Sequence, residues 1–241
     1  MSEFDFEGVF NEDYLYFYEK ILTPEQTEQD VERIVELLDL PSGAEILDCP
    51  CGHGRIANAL AQRGFRVTGL DSSEFFLEHA RADASARGVD VEFVQGDMRA
   101  IPWRDRFDAL VNWFTSFGYF SDDQNKAVLT QFHDALKPGG KFVLETMNIT
   151  RLLLNFQPQH FIERDGDLMA DEIQLDVENS RTLTERFVAR AGRTRKTHFV
   201  VRWFGVPELR DWLEEAGFEN VRTPGLTPEM RLVVVADRAS P

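Results

Sequence analysis

The stretch "AEILDCPCGHGRIANALAQRG", residues 44–64, reads as a short apolar strand, a tight turn and a helix stopped by Gly64. The turn "CPCGHG" (residues 49–54) holds both cysteines of the chain, a histidine and two glycines. Tetrahedral zinc sites space their cysteines by two to four residues and need a second Cys/His cluster, which is missing here. The C-x-C spacing is also one residue short of the thioredoxin-type redox pair. Between a strand end and a helix start, the glycines instead suit a ligand approaching backbone N–H groups at the helix N-terminus, with the cysteines as small, half-buried fillers. Gly52, Gly54 and Ala57 satisfy the loose dinucleotide pattern G-x-G-x-x-G/A, with Asp71 roughly where a ribose-binding acid belongs. A phosphate-loop signature is absent, which argues against a nucleoside triphosphate.

Outward from this stretch the alternation continues. "FRVTGLD" is a second strand and "SSEFFLEHARADASARG" a second helix with serines at its start. "VEFVQGD" and "FDALVNWF" are strands, "SDDQNKAVLTQFHDALKPGG" a helix with a capping box from Ser121 to Gln124, and "KFVLETMN" a fifth strand. Strands alternating with helices over residues 44–147 predict a parallel sheet with ligands at its carboxyl ends. Three strand-like runs between residues 160 and 204 have no helix between them and predict an inserted antiparallel meander. Residues 1–43 form a helical prelude in which Thr23, Pro24 and Gln26 mark the start of a helix. The expected organisation is therefore an N-terminal helical lid (1–43), a Rossmann-like α/β domain (44–159 and 205–241) and an antiparallel β insertion (160–204) serving as substrate cover or dimer contact.

Acids outnumber bases 42 to 26, a net charge of −16, which argues against a nucleic-acid partner. No apolar run reaches the ~18 residues of a membrane span. The acidic start lacks a basic secretory signal, and with only two cysteines the cytoplasm is the expected compartment. Residues 1–40 carry twelve acids and two bases, while Arg181, Arg186, Arg190, Arg193, Arg195 and Lys196 crowd another segment. Solvated faces explain both clusters; mutual attraction, within one chain or across a homodimer, is the sharper alternative.

"ILDCPCGHGRIANALAQRGFRVTGLDSSEFFLEHAR" resembles the first half of the class I S-adenosylmethionine-dependent methyltransferases, and "VQGDMR", "FDALVNWFTSFGYF", "LKPGGKFVLE" and "RLVVVAD" agree in order. "NWFTSFGYF" further resembles a bacterial subgroup acting on small molecules. The resemblance implies a seven-stranded Rossmann-like sheet, S-adenosylmethionine as cosubstrate, and methyl transfer to nitrogen or oxygen of a small molecule; no metal motif is visible, so no metal is expected. Asp48 and the backbone from Cys49 through Pro50, Cys51 and Gly52 to Gly54 are implied to face the methionine moiety. Asp71 and Ser72 are implied at the ribose, Asp97 and Met98 at the adenine, and Asn112, Trp113 and Phe114 at the methyl-donor side. Pro50 stands where the family usually has its first glycine and removes an N–H donor. Asn112, Tyr119, Tyr14 and Tyr18 are the candidates for positioning the acceptor, with Tyr16 beside them. His198 and Arg202 are further candidates for acceptor contacts. An NAD(P)-dependent oxidoreductase shares the glycine turn but leaves "QGDMR" and "LKPGG" unexplained. A non-catalytic binding module leaves the intact cofactor motifs without a purpose.

Overall fold

A computed structural model of the protein describes residues 4–240. Three helices come first, α1 (Phe6–Val9), α2 (Glu12–Tyr18) and α3 (Pro24–Leu38). Then follow β1 (Glu45–Asp48), α4 (Arg55–Gln62), β2 (Arg66–Asp71), α5 (Glu74–Arg87), β3 (Val91–Gln95), β4 (Phe107–Asn112), α6 (Asp122–Ala135) and β5 (Leu136–Thr146). After α7 (Ile149–Leu154) come β6 (Gln159–Arg164), β7 (Asp167–Asp176), β8 (Arg181–Arg190) and β9 (Arg193–Arg202). The chain closes with α8 (Val206–Glu215), β10 (Phe218–Arg222) and β11 (Leu232–Arg238).

One sheet of seven strands runs in the order β10-β11-β5-β4-β1-β2-β3, with β11 antiparallel to both its neighbours and the β3-to-β5 run parallel. Because chain order reverses between β1 and β4, the helices following these strands cover opposite faces and leave a crevice at the carboxyl ends. Alternation within β1 shows the two-layer burial: Ile46 packs on the α3/α4 side and Leu47 on the α6/α8 side. Val31, Ile34 and Leu38 of α3 are fully buried, each worth about 1.5–3 kcal/mol of removal from water. Thr23 accepts the Gln26 N–H at 3.2 Å and Asp39 ends α3 in a left-handed conformation, while α6 carries the expected capping box.

The second sheet is antiparallel, in the order β6-β7-β8-β9. It has four strands where three were expected; β6 is short, polar and mostly exposed, so its sequence lacks an alternating pattern. The sheet is tied to the main body where Arg202 N–H donates to Gly118 O at 2.8 Å. Only glycine permits this approach: at φ +107°, a Cβ on Gly118 would sit 2.4 Å from the Arg202 carbonyl oxygen.

The charge clusters attract within one chain. Asp13 of α2 accepts from Arg190 at 2.9 Å and Arg195 at 2.7 Å, and Arg164 and Arg190 each lie 4.3 Å from the Tyr16 ring centre, one guanidinium from β6 and one from β8. These half-exposed pairs add about 0.5–1 kcal/mol each and fasten the N-terminal helices to the meander. Among the described residues, no helix is long and apolar enough to cross a membrane.

Candidate active site

A narrow cleft of about 90 Å³ lies at the carboxyl ends of β1, β2 and β4, and a wider cavity of about 630 Å³ opens beside it, under the meander. Phe10, Tyr14, Phe114, Ser116 and Tyr119 line both, so they mark the junction.

The cleft is built from strand ends. Asp48 ends β1 and is 2% exposed, with its Oδ2 buried and unpartnered. Burial pushes its carboxyl up to about 8, Arg55 and the Ala57 N–H pull it back, and Asp71 adds repulsion. Opposite in charge, Arg55 at the start of α4 donates to Asp30 at 2.7 Å, yet its buried Nη2 has no partner. A sealed carboxyl, which becomes an anion on releasing its proton, and a sealed cationic donor in one cleft match a ligand end that carries both a cation and an anion, as an amino acid does. Asp71 ends β2; it accepts from the Gly52 N–H at 2.8 Å and the Ser73 N–H at 2.9 Å, and further lone pairs remain for hydroxyl groups. Its carboxyl is likewise raised by burial, against these N–H bonds. These observations fit the cosubstrate that the resemblance implies.

Of the other residues implied at the cosubstrate, Pro50, Cys51, Gly52, Ser72, Met98, Trp113 and Phe114 line the cleft. Four positions, Cys49, Gly54, Asp97 and Asn112, lie outside the lining. Cys49 is fully buried behind the turn, its thiol held well above the ordinary value by desolvation. Asn112 is also fully buried and lines neither space; its amide donates to Cys49 O at 2.8 Å and so fixes the turn to β4. Asp97 lies outside the cleft lining, because Arg99 two residues on takes its carboxylate through both the backbone N–H at 2.8 Å and the guanidinium at 2.6 Å. Those bonds hold the Asp97 carboxyl below its usual value. Gly54 begins α4 in a left-handed conformation without lining the cleft, and the Cys49–Pro50 bond is cis. His53 lines the cleft, and burial pushes it down to about 4, leaving a neutral ring.

Helix periodicity separates the tyrosines. Tyr14 and Tyr18 stack with centroids 4.2 Å apart and face the cavity, whereas Tyr16 points away and donates to Arg164 O at 3.1 Å. Tyr119 donates its O–H to Thr115 O at 3.0 Å. Burial holds the Tyr14 and Tyr119 phenols above their ordinary values, so both remain hydroxyls. Tyr14 of α2 and Phe10, between α1 and α2, meet Phe76 of α5 at 5.6 and 6.1 Å, on the outer side of the cleft.

The meander supplies the cavity wall, but not through His198 and Arg202. Phe199 and Val201 of β9 face the cavity; the strand's two-residue period turns His198 to solvent and Arg202 onto Asp122 and Glu208. Sequence reasoning missed Phe10, Arg55, Phe76 and Ser116, and on the wall Asp171, Thr184 and Arg186. Asp171 and Arg186 are directly opposite across β7 and β8, a pairing visible only once the strand register is known. Phe114 and Thr115 adopt positive φ (+63° and +55°), placing the Phe114 ring between Arg55 at 5.3 Å and Arg231 at 4.8 Å.

A family profile described as a methyltransferase domain matches residues 46–140. A putative methyltransferase of Bacillus subtilis (strain 168), YqeM, is 30% identical over 190 residues, 75% of this chain and 75% of that protein. A Streptomyces venezuelae protein named dTDP-3-amino-3,4,6-trideoxy-alpha-D-glucopyranose N,N-dimethyltransferase is 31% identical over 137 residues, 56% of this chain and 52% of its own length. The fold is shared with the solved CcbJ methyltransferase of Streptomyces caelestis, at a TM-score of 0.82 and 20% identity over 99% of this chain and 100% of that one.

Proposed function

The chain belongs to the class I S-adenosylmethionine-dependent methyltransferases, and from that premise we propose that it methylates the nitrogen of a small-molecule amine. One observation carries the choice of nitrogen. The junction between cleft and cavity is lined by Phe10, Tyr14, Phe114, Ser116 and Tyr119, four aromatic rings and a hydroxyl, with neither carboxylate nor imidazole. A hydroxyl acceptor has to lose a proton as it attacks and calls for a base there. An amine loses its extra proton to solvent beforehand and then attacks as a neutral lone pair. The relative named as a sugar N,N-dimethyltransferase supports the same reading.

Asp48, Arg55 and Asp71 are the residues that would hold the cosubstrate. When bound, S-adenosylmethionine supplies a methyl group on a positively charged sulfur, already activated for displacement. What the chain adds is placement and dryness. Ring faces at the junction attract an ammonium group during binding, by about 0.5–2 kcal/mol. Tyr119 spends its proton on Thr115 O and keeps lone pairs to accept an amine N–H, which turns the nitrogen. Phe6, Phe10, Tyr14 and Leu22 of the lid exclude water from the cleft. Fixed orientation of this kind lowers barriers without an acid–base residue.

Incubation with S-adenosylmethionine and matched pairs, cyclohexylamine with cyclohexanol and benzylamine with benzyl alcohol, tests the proposal by mass spectrometry. The expected products are N-methylated amines with S-adenosylhomocysteine in equal amount. Methylation confined to the alcohols would overturn it.

A further inference from the structure

On the cavity wall formed by the meander, Arg186 is 5% exposed. Its Nε donates to Asp171 Oδ1 at 2.7 Å, and its Nη2 donates to Asp171 Oδ2 at 2.7 Å and to the Tyr18 hydroxyl at 3.2 Å. The guanidinium also lies 5.0 Å from the Phe199 ring centre. Those contacts use three of the five N–H groups of an arginine. Nη1 keeps the other two; among the described residues no group accepts from it, and it is not one of the sealed atoms.

A buried ion pair is a poor stabiliser, since desolvating both charges offsets their attraction and apolar side chains of similar size do as well. The same inward face of β8 also carries Thr184, 6% exposed and lining the cavity. Here polar groups converge on a space where the packing alone would favour hydrophobes. The charges cancel within the Asp171–Arg186 pair, so this patch offers hydrogen-bond donors without net charge. Tyr18 accepts from Arg186, and its own O–H is left to donate. Two donors, Nη1–H and the phenolic O–H, thus stand together and call for an oxygen acceptor that is itself uncharged. The Tyr18 ring stacks on Tyr14, and Tyr14 lines the junction with the cofactor cleft.

We propose that Arg186 Nη1 and the Tyr18 hydroxyl bind a hydroxyl or carbonyl oxygen of the methyl acceptor, so that the enzyme selects amines bearing such an oxygen a few bonds from the nitrogen. The inference rests on the amine reading above. Arg186 and Tyr18 are then specificity-determining residues, and Asp171 positions the guanidinium by gripping its other edge.

The test compares cyclohexylamine with 2-, 3- and 4-aminocyclohexanol, both as substrates and in calorimetric titrations of protein loaded with S-adenosylhomocysteine. At least one aminocyclohexanol is expected to exceed cyclohexylamine by about tenfold or more in kcat/KM, mainly through KM, as a site built for a hydroxyl rejects the analogue lacking it. Tyr18→Phe should reduce that ratio several-fold. Arg186→Met alone strands the Asp171 charge, so the double variant Arg186→Met with Asp171→Leu removes both charges together, with retained S-adenosylhomocysteine binding as the sign of folding. In it the ratio should fall toward one. Equal performance of all four amines in the wild type overturns the inference while leaving N-methylation standing. A preference that survives in both variants also overturns it. Failure of all four to bind or react removes the amine reading and this inference with it.

Discussion

The cleft takes its polar atoms from positions at or just past a strand end, with Gly52 and Asp71 only 19 residues apart, whereas the cavity wall joins Tyr18 to Arg186 across 168 residues. The polar part of the cleft is consequently local: a turn, two carboxylates and a helix start at the ends of the central strands. The wall depends on the N-terminal helices resting on the meander through Asp13, Arg190, Arg195 and Tyr16. Under the proposed reading the sheet ends hold the cosubstrate, and the inserted sheet bears on the acceptor. Substitutions in the two regions should therefore fail differently.

The largest expected effect is on the cleft scaffold. Gly54 has φ +82°, and a Cβ there would lie 2.7 Å from the Ala80 Cβ. Gly54→Ala should cost about 3 kcal/mol through strain and overpacking, which is a Tm lower by roughly 6–12 °C in thermal unfolding for a chain of this size. Ile173→Val on the wall should cost only about 1 kcal/mol. Equal losses would break the contrast between the tightly packed turn of the cleft and the cavity wall.

Next comes Asp71→Ala, which should weaken S-adenosylmethionine and S-adenosylhomocysteine by about 1.5–3 kcal/mol, roughly ten- to a hundredfold. At saturating cosubstrate the acceptor KM should stay within about twofold. Calorimetry giving unchanged cosubstrate affinity would move the ribose contact elsewhere.

A smaller, pH-dependent effect follows from Asp48. Its carboxyl is raised from 3.8 to about 8 in the ligand-free fold, so the unfolded chain gives up this proton more readily than the folded one. The group's contribution to stability is full below pH 4 and is lost as pH rises through about 8. Binding a cationic ligand end runs the other way, because Asp48 must release its proton to pair with it. S-adenosylhomocysteine affinity should rise with pH toward about 8, at most tenfold per pH unit, and then level off. Asp48→Asn should flatten the profile; an unchanged slope would place the titration on another group.

The main sheet was legible in the sequence because each of its elements declares itself within a dozen residues, by glycine stops, serine caps and apolar runs. Asp48 and Asp71 were legible for the same reason, as strand-end carboxylates before a glycine- or serine-rich turn. Asp97 has the same look, but Arg99 beside it captures the carboxylate, and neighbouring charges of that kind compete in ways a motif does not express. Asn112 donates to the backbone of the turn, since a fully buried strand-end amide takes the nearest carbonyl. On the meander both faces mix polar and apolar residues: Leu183 and Phe187 are about 40% exposed while Thr182, Thr184 and Arg186 are buried. A reading that puts hydrophobes inside therefore selects the wrong face, and only strand register and the packing of α2 reveal the acceptor wall.

The central claim is that methyl transfer here needs placement at an aromatic junction and no dedicated base. Single-turnover rates at saturating S-adenosylmethionine, for Tyr14→Phe and Tyr119→Phe against the wild type, test it most directly. The expected result is a loss of about 3–100-fold for each, with cosubstrate affinity retained. A loss of ~10⁴-fold or more from either change, with that affinity intact, would reveal an indispensable acid–base group and contradict the account.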